Sequence, residues 1–268
     1  MTSIVHLSDL HAGFRNLIEH LRDLVVHLKR QLQPASEYVI VITGDLVEKP
    51  DRRRPYQTTH DVLDELRKAG FNVLMVPGNH DYNNGLLLDK YFVPRFKEVF
   101  YGDPHVQYPR VDIVNDIAFI GLDSLAEELH WYDRMFADGE LGEAQLRRLD
   151  DLLGDSTVTA CAHRVVYLHH HPSVFLPFGE LKDAAALREI LVRRGNVDAL
   201  LFGHHHMGRS RCGLWGIPRY YDGGTATGKR PGAIFHRILH LDEDPSSDFN
   251  GALCDFEGKT EAPETPAP

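Results

Sequence analysis

The chain has 268 residues, of which 43% are hydrophobic and 25% are charged, and its formal net charge is −10. These proportions are typical of a soluble globular protein that buries a substantial core. The negative charge argues against non-specific binding of nucleic acid or anionic membranes, because such binding relies on clustered Lys and Arg. It remains compatible with a small phosphate ester held by metal ions.

Neither a signal peptide nor a membrane span is visible in the hydropathy of the chain, so we expect a cytoplasmic protein. Cys161, Cys212 and Cys254 are widely spaced and odd in number, which predicts free thiols. Residues 1–257 are expected to form one domain, because no linker or repeat interrupts them. Residues 258–268 combine Pro, Glu and Thr with almost no apolar side chain, which predicts a disordered tail.

Hydrophobic periodicity in the first hundred residues predicts strands that alternate with helices. This order indicates β-α-β units, in which the strands run parallel. Pro94 is predicted to interrupt the last helix, because proline lacks the amide hydrogen of a helical residue. The predicted strands lie at 4–5, 38–43 and 73–76, and the predicted helices at 17–32, 59–68 and, in part, 86–100.

The second half of the chain begins with a predicted antiparallel hairpin, in which Asn115 and Asp116 form the turn between 111–114 and 117–122. Two further amphipathic helices are expected at 143–153 and 183–193, with Gly195 ending the second. Further strands are predicted at 165–168, 199–202, 219–221 and 234–241. The alternation of strands and helices indicates an α/β fold.

Five polar motifs follow strands in this pattern, and together they supply seven oxygen or nitrogen ligands. Because the carboxyl ends of strands in an open α/β sheet converge on one crevice, we expect these motifs to meet and form a two-metal site. Carboxylate and imidazole donors suit Mn, Fe, Co or Zn. The motifs are Asp9-Leu10-His11, Gly44-Asp45, Gly78-Asn79-His80-Asp81, His170-His171-Pro172 and Gly203-His204-His205-His206.

Asp45 is predicted to bridge the two metals. Two ions roughly 3.5–4 Å apart can clamp the attacking and the leaving oxygen of a phosphoryl transfer, and this arrangement requires a shared ligand. A carboxylate has two oxygens that can serve two ions, whereas a neutral imidazole offers one acceptor nitrogen. Gly44, immediately before Asp45, allows a close approach of the backbone.

The five motifs, in this order, resemble those of the calcineurin-like metallophosphoesterases, and the resemblance extends to about Leu241. It implies a four-layer α/β/β/α sandwich with two mixed sheets and metals at the carboxyl ends of the strands. By motif, one metal would be held by Asp9, His11 and His206, and the other by Asn79, His170 and His204, with Asp45 bridging. The family's H-x-P spacing selects His170, so that His169 and His171 are expected to project away from it.

The resemblance also places His80 beside the substrate, where it would protonate the leaving alkoxide or stabilise charge on the phosphoryl group. Asp81 would orient the His80 ring. The nucleophile would be a metal-bound hydroxide, because coordination lowers the pKa of water from about 15.7 towards about 7. Arg52, Arg53 and Arg54 stand where the family branch discussed next usually has a different sequence. We expect this segment to border the predicted substrate site, although a solvated loop is the more common role of such a run.

Short segments outside the five motifs, such as Leu122-Asp123-Ser124 and Gln145-Leu146, resemble those of one branch of the family. This branch contains the class III cyclic-nucleotide phosphodiesterases and the glycerophosphodiesterases. We therefore expect a phosphodiesterase whose partner is a small phosphoester. Alternatives on the same fold are a phosphomonoesterase, a nucleotide pyrophosphatase and a non-catalytic scaffold. A repair nuclease fits poorly with the acidic composition. A homodimer is compatible with the aromatic segment 131–136, which could equally border the pocket.

Overall fold

Two mixed β-sheets lie face to face in the computed structural model of the chain, which describes residues 2–50, 55–82, 89–125, 138–172, 181–228 and 234–254. The first sheet has the strand order β11-β10-β1-β2-β3. Strands β1, β2 and β3 are parallel, whereas β10 runs antiparallel to β1 and β11 antiparallel to β10. The bounds are β1 Ser3–Leu7, β2 Tyr38–Thr43, β3 Asn72–Val76, β10 His236–His240 and β11 Phe249–Gly251.

The second sheet has the strand order β4-β5-β6-β7-β9-β8. Its four central strands are parallel, and the two edge strands, β4 and β8, are antiparallel to their neighbours. The bounds are β4 Arg110–Val114, β5 Ile117–Gly121, β6 His163–Tyr167, β7 Ala199–Phe202, β8 Ser210–Arg211 and β9 Arg219–Asp222.

Helices cover the outer face of each sheet. Side chains of a strand point alternately to its two faces, so each strand contributes to one hydrophobic layer under the helices and to another between the sheets. Ile40 and Ile42 pack against the helices of the first sheet, while Val39 and Val41 face the second sheet. The helices beside the first sheet are α1 Leu17–Gln31, α2 Pro55–Lys68 and α3 Asp89–Tyr101. Those beside the second sheet are α4 Glu143–Gly154, α5 Ser156–Ala160 and α6 Ala184–Arg194.

The predicted four-layer α/β/β/α architecture with two mixed sheets is therefore confirmed, and so is the order of the main elements. The hairpin turn is confirmed as well, because Asn115 and Asp116 have φ angles of 48° and 66°, as a tight type I′ turn requires. The three cysteines are free, as predicted. No helix in the described parts of the chain combines the length and hydropathy needed to cross a bilayer.

The prediction that Pro94 interrupts its helix is wrong, because α3 continues through it. The missing amide of Pro94 removes one hydrogen bond near the start of the helix, while Phe92, Phe96 and Phe100 are buried at helical spacing and hold it against the core. Helix α2 begins four residues earlier than predicted, at Pro55, a residue favoured in the first position of a helix. The short elements α5, β8 and β11 were not predicted, and the predicted tail, 258–268, lies outside the described residues.

Candidate metal site

Loops that follow β1 and β2 are joined backbone to backbone at the carboxyl end of the first sheet. The Asp9 amide donates to the Gly44 carbonyl at 3.1 Å, and the His11 amide donates to the Asp45 carbonyl at 2.8 Å. The Ala12 amide continues the ladder by donating to the carbonyl of Leu46 at 3.0 Å. These bonds bring the Asp9-Leu10-His11 and Gly44-Asp45 motifs side by side.

Five of the seven predicted ligands share an unusual backbone conformation. Non-glycine residues seldom adopt a positive φ, and such residues tend to occur at functional sites, where the surrounding structure sustains a strain of about 1–3 kcal/mol each. Here the strain aims several side chains at one crevice. The positive φ angles are 53° at Asp9, 44° at His11, 52° at Asp45, 76° at His204 and 56° at His206.

The first metal group comprises Asp9, His11, Asp45 and His206, whose ligand atoms all lie within 4.8 Å of one another. His206 Nε2 is 3.0 Å from Asp9 Oδ1 and 3.1 Å from His11 Nε2. His11 Nε2 also lies 3.6 Å from Asp45 Oδ2. The structure thus brings together the ligands that the resemblance assigned to one metal, together with the expected bridge.

The second metal group comprises Asp45, Asn79, His169 and His204. Asn79 Oδ1 lies 3.0 Å from His169 Nε2 and 3.1 Å from His204 Nδ1, and these two nitrogens are 3.2 Å apart. His169 Nε2 is 3.5 Å from Asp45 Oδ1. The two oxygens of Asp45 therefore face different groups, since Oδ2 is directed towards His11 and Oδ1 towards His169.

The ligand atoms of the two groups act as hydrogen-bond acceptors, as atoms that bind a metal ion must. His11 Nδ1 lies 2.9 Å from Glu48 Oε2, and His169 Nδ1 lies 2.8 Å from the Thr43 carbonyl, so both nitrogens carry the hydrogen. Each neutral ring then directs the lone pair of Nε2 into the crevice, and for His169 the atom opposite is Asn79 Oδ1, also an acceptor. Acceptors that face acceptors in a buried site are what a metal ion requires.

Burial and neighbouring charges shift the pKa values of the ligands in different directions. Burial raises the pKa of Asp9, but His206, with His169 and His11, lowers it further, so that the pKa lies well below its ordinary value. Burial lowers the pKa of His169, but Asp45 and Asp9 raise it, and the net pKa lies above its ordinary value. Burial and the neighbouring histidines hold the pKa of His204 well below normal, which favours the neutral ring that can bind a metal.

His169, and not the predicted His170, lies beside Asn79. Val165 and Tyr167 of β6 face the other sheet, and the alternation of the strand carries His169 in the same direction. His170 Nδ1 is instead 2.8 Å from Ser124 Oγ, with its ring centroid 4.5 Å from that of His204. A Cβ on Gly44 would lie 2.5 Å from His169 Nδ1, so the glycine makes room for this ring.

His80 lies beside both metal groups, with its side chain 24% exposed. Its amide donates to Asp45 Oδ1 at 2.9 Å, and its ring packs edge-on against that of His11, with 4.8 Å between the centroids. The Nδ1 atom is 2.8 Å from the Glu48 carbonyl, which fixes the hydrogen on Nδ1 and the orientation of the ring. In the neutral ring, Nε2 of this histidine is therefore the acceptor nitrogen.

The prediction that Asp81 orients the His80 ring is wrong. The buried Asp81 carboxylate accepts hydrogen bonds from the amides of Leu46, Val47 and Gly78, at 3.2, 3.0 and 2.8 Å. Burial and the nearby Asp45 raise the pKa of Asp81 to about 7, although the three amides lower it. Asp81 holds together the loops that carry Asp45 and Asn79, and the carbonyl of Glu48 takes the position behind His80.

A family model described as calcineurin-like phosphoesterase matches residues 2–208, which include every residue of the two metal groups. The chain belongs to this family. Calcineurin-like phosphoesterases use two divalent metal ions, and the first group has the spacing of a possible metal site. In the adjacent second group, the donor atoms of Asn79, His169 and His204 lie within 3.2 Å of one another. The family therefore accounts for the convergence of acidic, amide and imidazole side chains at one edge of the sheets.

Among curated proteins, the chain is similar to the 3′,5′-cyclic adenosine monophosphate phosphodiesterase CpdA of Haemophilus influenzae, with 27% identity over 191 residues. The match covers 67% of the chain but only 58% of that relative's length. Among solved structures, a dimetal phosphatase from Danio rerio has a TM-score of 0.64 at 18% identity, covering 94% of this chain and 99% of the other. The protein TT1561 of Thermus thermophilus has a TM-score of 0.55 at 12% identity with the same coverage. The two structures show the shared fold.

Two residues that orient the candidate ligands, Ser8 and Glu48, were not predicted from the sequence. Ser8 Oγ donates to Asp9 Oδ2 at 2.5 Å, and the His204 amide donates to the same oxygen at 3.1 Å, which leaves Asp9 Oδ1 for the first metal group. Glu48 provides the carboxylate behind His11. A signal was available for Ser8, which is adjacent to a predicted ligand, whereas the position of Glu48 depends on the backbone ladder between the loops.

The other histidines of the motifs point elsewhere. The His171 ring packs at 4.5 Å from Phe202 and at 5.6 Å from His205, on the helical side of the second sheet, and burial lowers its pKa to about 3. It thus projects away from His170, as predicted. The predictions for Arg52 to Arg54 and for the aromatic segment 131–136 lie outside the described residues.

Proposed function

We propose that this protein is a dinuclear metal-dependent phosphodiesterase that acts on a small phosphodiester. The observation that carries the proposal is the position of Asp45, whose two carboxylate oxygens face two separate groups of neutral and anionic ligands. His169 takes the place assigned to His170 in the second metal group. Mn, Fe, Zn and Co all suit these donors.

Metal ions bound there would act as Lewis acids that clamp the phosphoryl group and activate water. The residues of the chain hold this arrangement and keep water out of its inner side, since Asp9, His11 and His169 are fully buried. His80 is the partly exposed group beside them, and its ring is oriented by the Glu48 carbonyl. We propose that His80 contacts the substrate in its doubly protonated form, with Nδ1–H held by the Glu48 carbonyl, and delivers the Nε2 proton to the leaving oxygen, which leaves the ring neutral. Such a role typically contributes about 10²–10⁴-fold to the rate.

A diester is favoured over a monoester for two reasons. A monoester dianion carries more negative charge than a diester monoanion and benefits more from cationic side chains. In the described part of the chain, the ion pairs of both metal groups join histidines to carboxylates, and none of them includes Lys or Arg. The relative from Haemophilus influenzae is a phosphodiesterase by name, which supports the same choice.

The proposal is tested by comparing kcat/KM for bis-nitrophenyl phosphate and nitrophenyl phosphate, at neutral pH with Mn²⁺. We expect the diester to be the better substrate. Asp45→Ala, which removes the shared ligand, is the control for contaminating activity. A clear preference for the monoester would favour a phosphomonoesterase on the same site, and no hydrolysis of either ester by fully metallated protein would favour a scaffold. A screen of cyclic nucleotides, glycerophosphodiesters and nucleotides would then define the substrate.

We also propose that the protein is cytoplasmic and that its partner is a small phosphoester, with no role for nucleic acid. The support for the compartment is the set of three free thiols, a state typical of reducing environments. Cell fractionation followed by immunodetection tests the location directly.

A further inference from the structure

The two metal groups differ in the hydrogen-bond partner of the ligand histidine, at the ring nitrogen that faces away from the crevice. In the first group, Nδ1 of His11 is 2.9 Å from Oε2 of Glu48, which is a carboxylate oxygen. In the second group, Nδ1 of His169 is 2.8 Å from the carbonyl oxygen of Thr43. The distances are nearly equal, but one partner is anionic and the other is neutral. The ligand histidines of the two groups therefore have hydrogen-bond partners of different charge.

A carboxylate behind a ligand histidine does more than fix its tautomer. A hydrogen bond to a charged acceptor is roughly twice as strong as one to a neutral acceptor, and it makes the opposite ring nitrogen more basic towards a metal. The Glu48 side chain is 18% exposed and that of His11 is fully buried, so water and salt screen this contact only weakly. The effect is therefore concentrated on Nε2 of His11, which faces Asp9, Asp45 and His206.

The backbone around Glu48 fixes the carboxylate in place. The Glu48 amide donates to the Ala12 carbonyl at 3.0 Å, so residue 48 is tied to the segment that carries His11. Its own carbonyl is 2.8 Å from His80 Nδ1. The carboxylate oxygen is closer to His11 than to His80, at 2.9 Å against 3.8 Å. The side chain of Glu48 thus belongs to the first metal group, whereas its carbonyl orients His80.

We propose that Glu48 is a positioning residue that selectively strengthens metal binding by the first group, through His11, and leaves the second group unaffected. The inference rests on the proposed two-metal function. Loss of a partner of this kind typically costs about 10–100-fold in metal affinity. We expect Glu48→Gln to lie at the lower end of that range, because the amide can still accept from His11 Nδ1, and Glu48→Ala to lie at the upper end.

The test measures Mn²⁺ affinity by calorimetric titration of metal-free protein in two backgrounds. Asn79→Ala impairs the second group and isolates the first, whereas His206→Ala does the reverse. Glu48→Gln should weaken binding about 10-fold in the Asn79→Ala background and leave binding unchanged in the His206→Ala background. Glu65→Gln, which removes an exposed carboxylate paired with Lys29, is the matched control and should change neither affinity.

Thermal unfolding of each metal-free variant checks that the fold is intact. Unchanged affinity in the Asn79→Ala background, or an equal loss in both backgrounds, would overturn the proposal. The result is separable from that for the proposed function, because a protein that binds two Mn²⁺ ions without hydrolysing esters would refute the phosphodiesterase and still report on Glu48.

Discussion

Substitution of two adjacent histidines distinguishes the metal geometry of the structure from the assignment based on motif spacing. His169→Ala removes the ring whose Nε2 lies 3.0 Å from Asn79 Oδ1 and 3.5 Å from Asp45 Oδ1. His170→Ala removes a ring whose Nδ1 lies 2.8 Å from Ser124 Oγ. We expect the first variant to lose one metal and the second to retain both.

The expected magnitudes follow from these contacts. Loss of a residue that hydrogen-bonds to a metal ligand typically lowers metal affinity about 10–100-fold, or about 1.4–2.7 kcal/mol of binding free energy. Loss of a direct ligand should lower the affinity by at least as much. His169→Ala also removes the hydrogen bond to the buried Thr43 carbonyl, which keeps Ser8 Oγ as a donor at 3.2 Å, so the loss of stability is about 0.5–1.5 kcal/mol. His170→Ala loses a neutral hydrogen bond, worth about 0.5–1.5 kcal/mol, without loss of a ligand.

Elemental analysis after dialysis against a fixed low concentration of Mn²⁺ gives the metal content of each variant, and urea unfolding of the metal-free proteins gives the stability difference. The result expected is one metal per chain for His169→Ala and two for His170→Ala. If His170→Ala loses a metal while His169→Ala keeps both, the alternation argument along β6 is refuted and the spacing to Pro172 is the better guide.

Three further predictions concern catalysis, packing and pH. His80→Ala should keep both metals and slow turnover by about 10²–10⁴-fold, with a smaller loss for a nitrophenolate leaving group; equal losses for good and poor leaving groups would exclude proton donation. Gly44→Ala and Gly13→Ala both place a side chain at positive φ, but only at Gly44 does the Cβ meet His169, so Gly44→Ala alone should lose metal affinity in a Mn²⁺ titration. Burial lowers the pKa of His236 from 6.5 to about 4, so its stabilising contribution is present above pH 6.5 and is lost as the pH falls towards 4. At pH 5 this loss is about 2 kcal/mol. Urea unfolding should show that the free energy of unfolding falls from pH 7.5 to pH 5 by about 2 kcal/mol less in His236→Asn than in the unsubstituted protein. An equal fall in both proteins would contradict the assignment.

The fold could be predicted because its strongest signals are local. Tyr38–Thr43 forms a strand with the predicted bounds, since a short apolar run before Gly44 and Asp45 has few other structures open to it. The elements that escaped prediction depend on tertiary contacts. Strand β8 consists of Ser210 and Arg211 paired with Tyr221 and Tyr220, and nothing in its own sequence specifies that pairing.

The structure places His169 beside Asn79, where the motif spacing predicts His170, and this difference has a physical cause. Motif spacing from Pro172 measures distance along the chain, whereas the direction of a side chain at a strand end is set by the two-residue period of the strand. Val165, Tyr167 and His169 share one face, and that alternation was visible in the sequence. The place of Glu48 behind His11 was not visible in this way, because it depends on the ladder that joins the loops after β1 and β2.

The most direct test of the central claim is an anomalous-scattering measurement on crystals of the Mn²⁺-loaded protein. A dinuclear site bridged by Asp45 predicts two peaks roughly 3.5–4 Å apart, on either side of its carboxylate. One peak should lie among Asp9, His11 and His206, and the other among Asn79, His169 and His204. A single peak, or a second peak on the His171 side of the sheet, would contradict a dinuclear site bridged by Asp45.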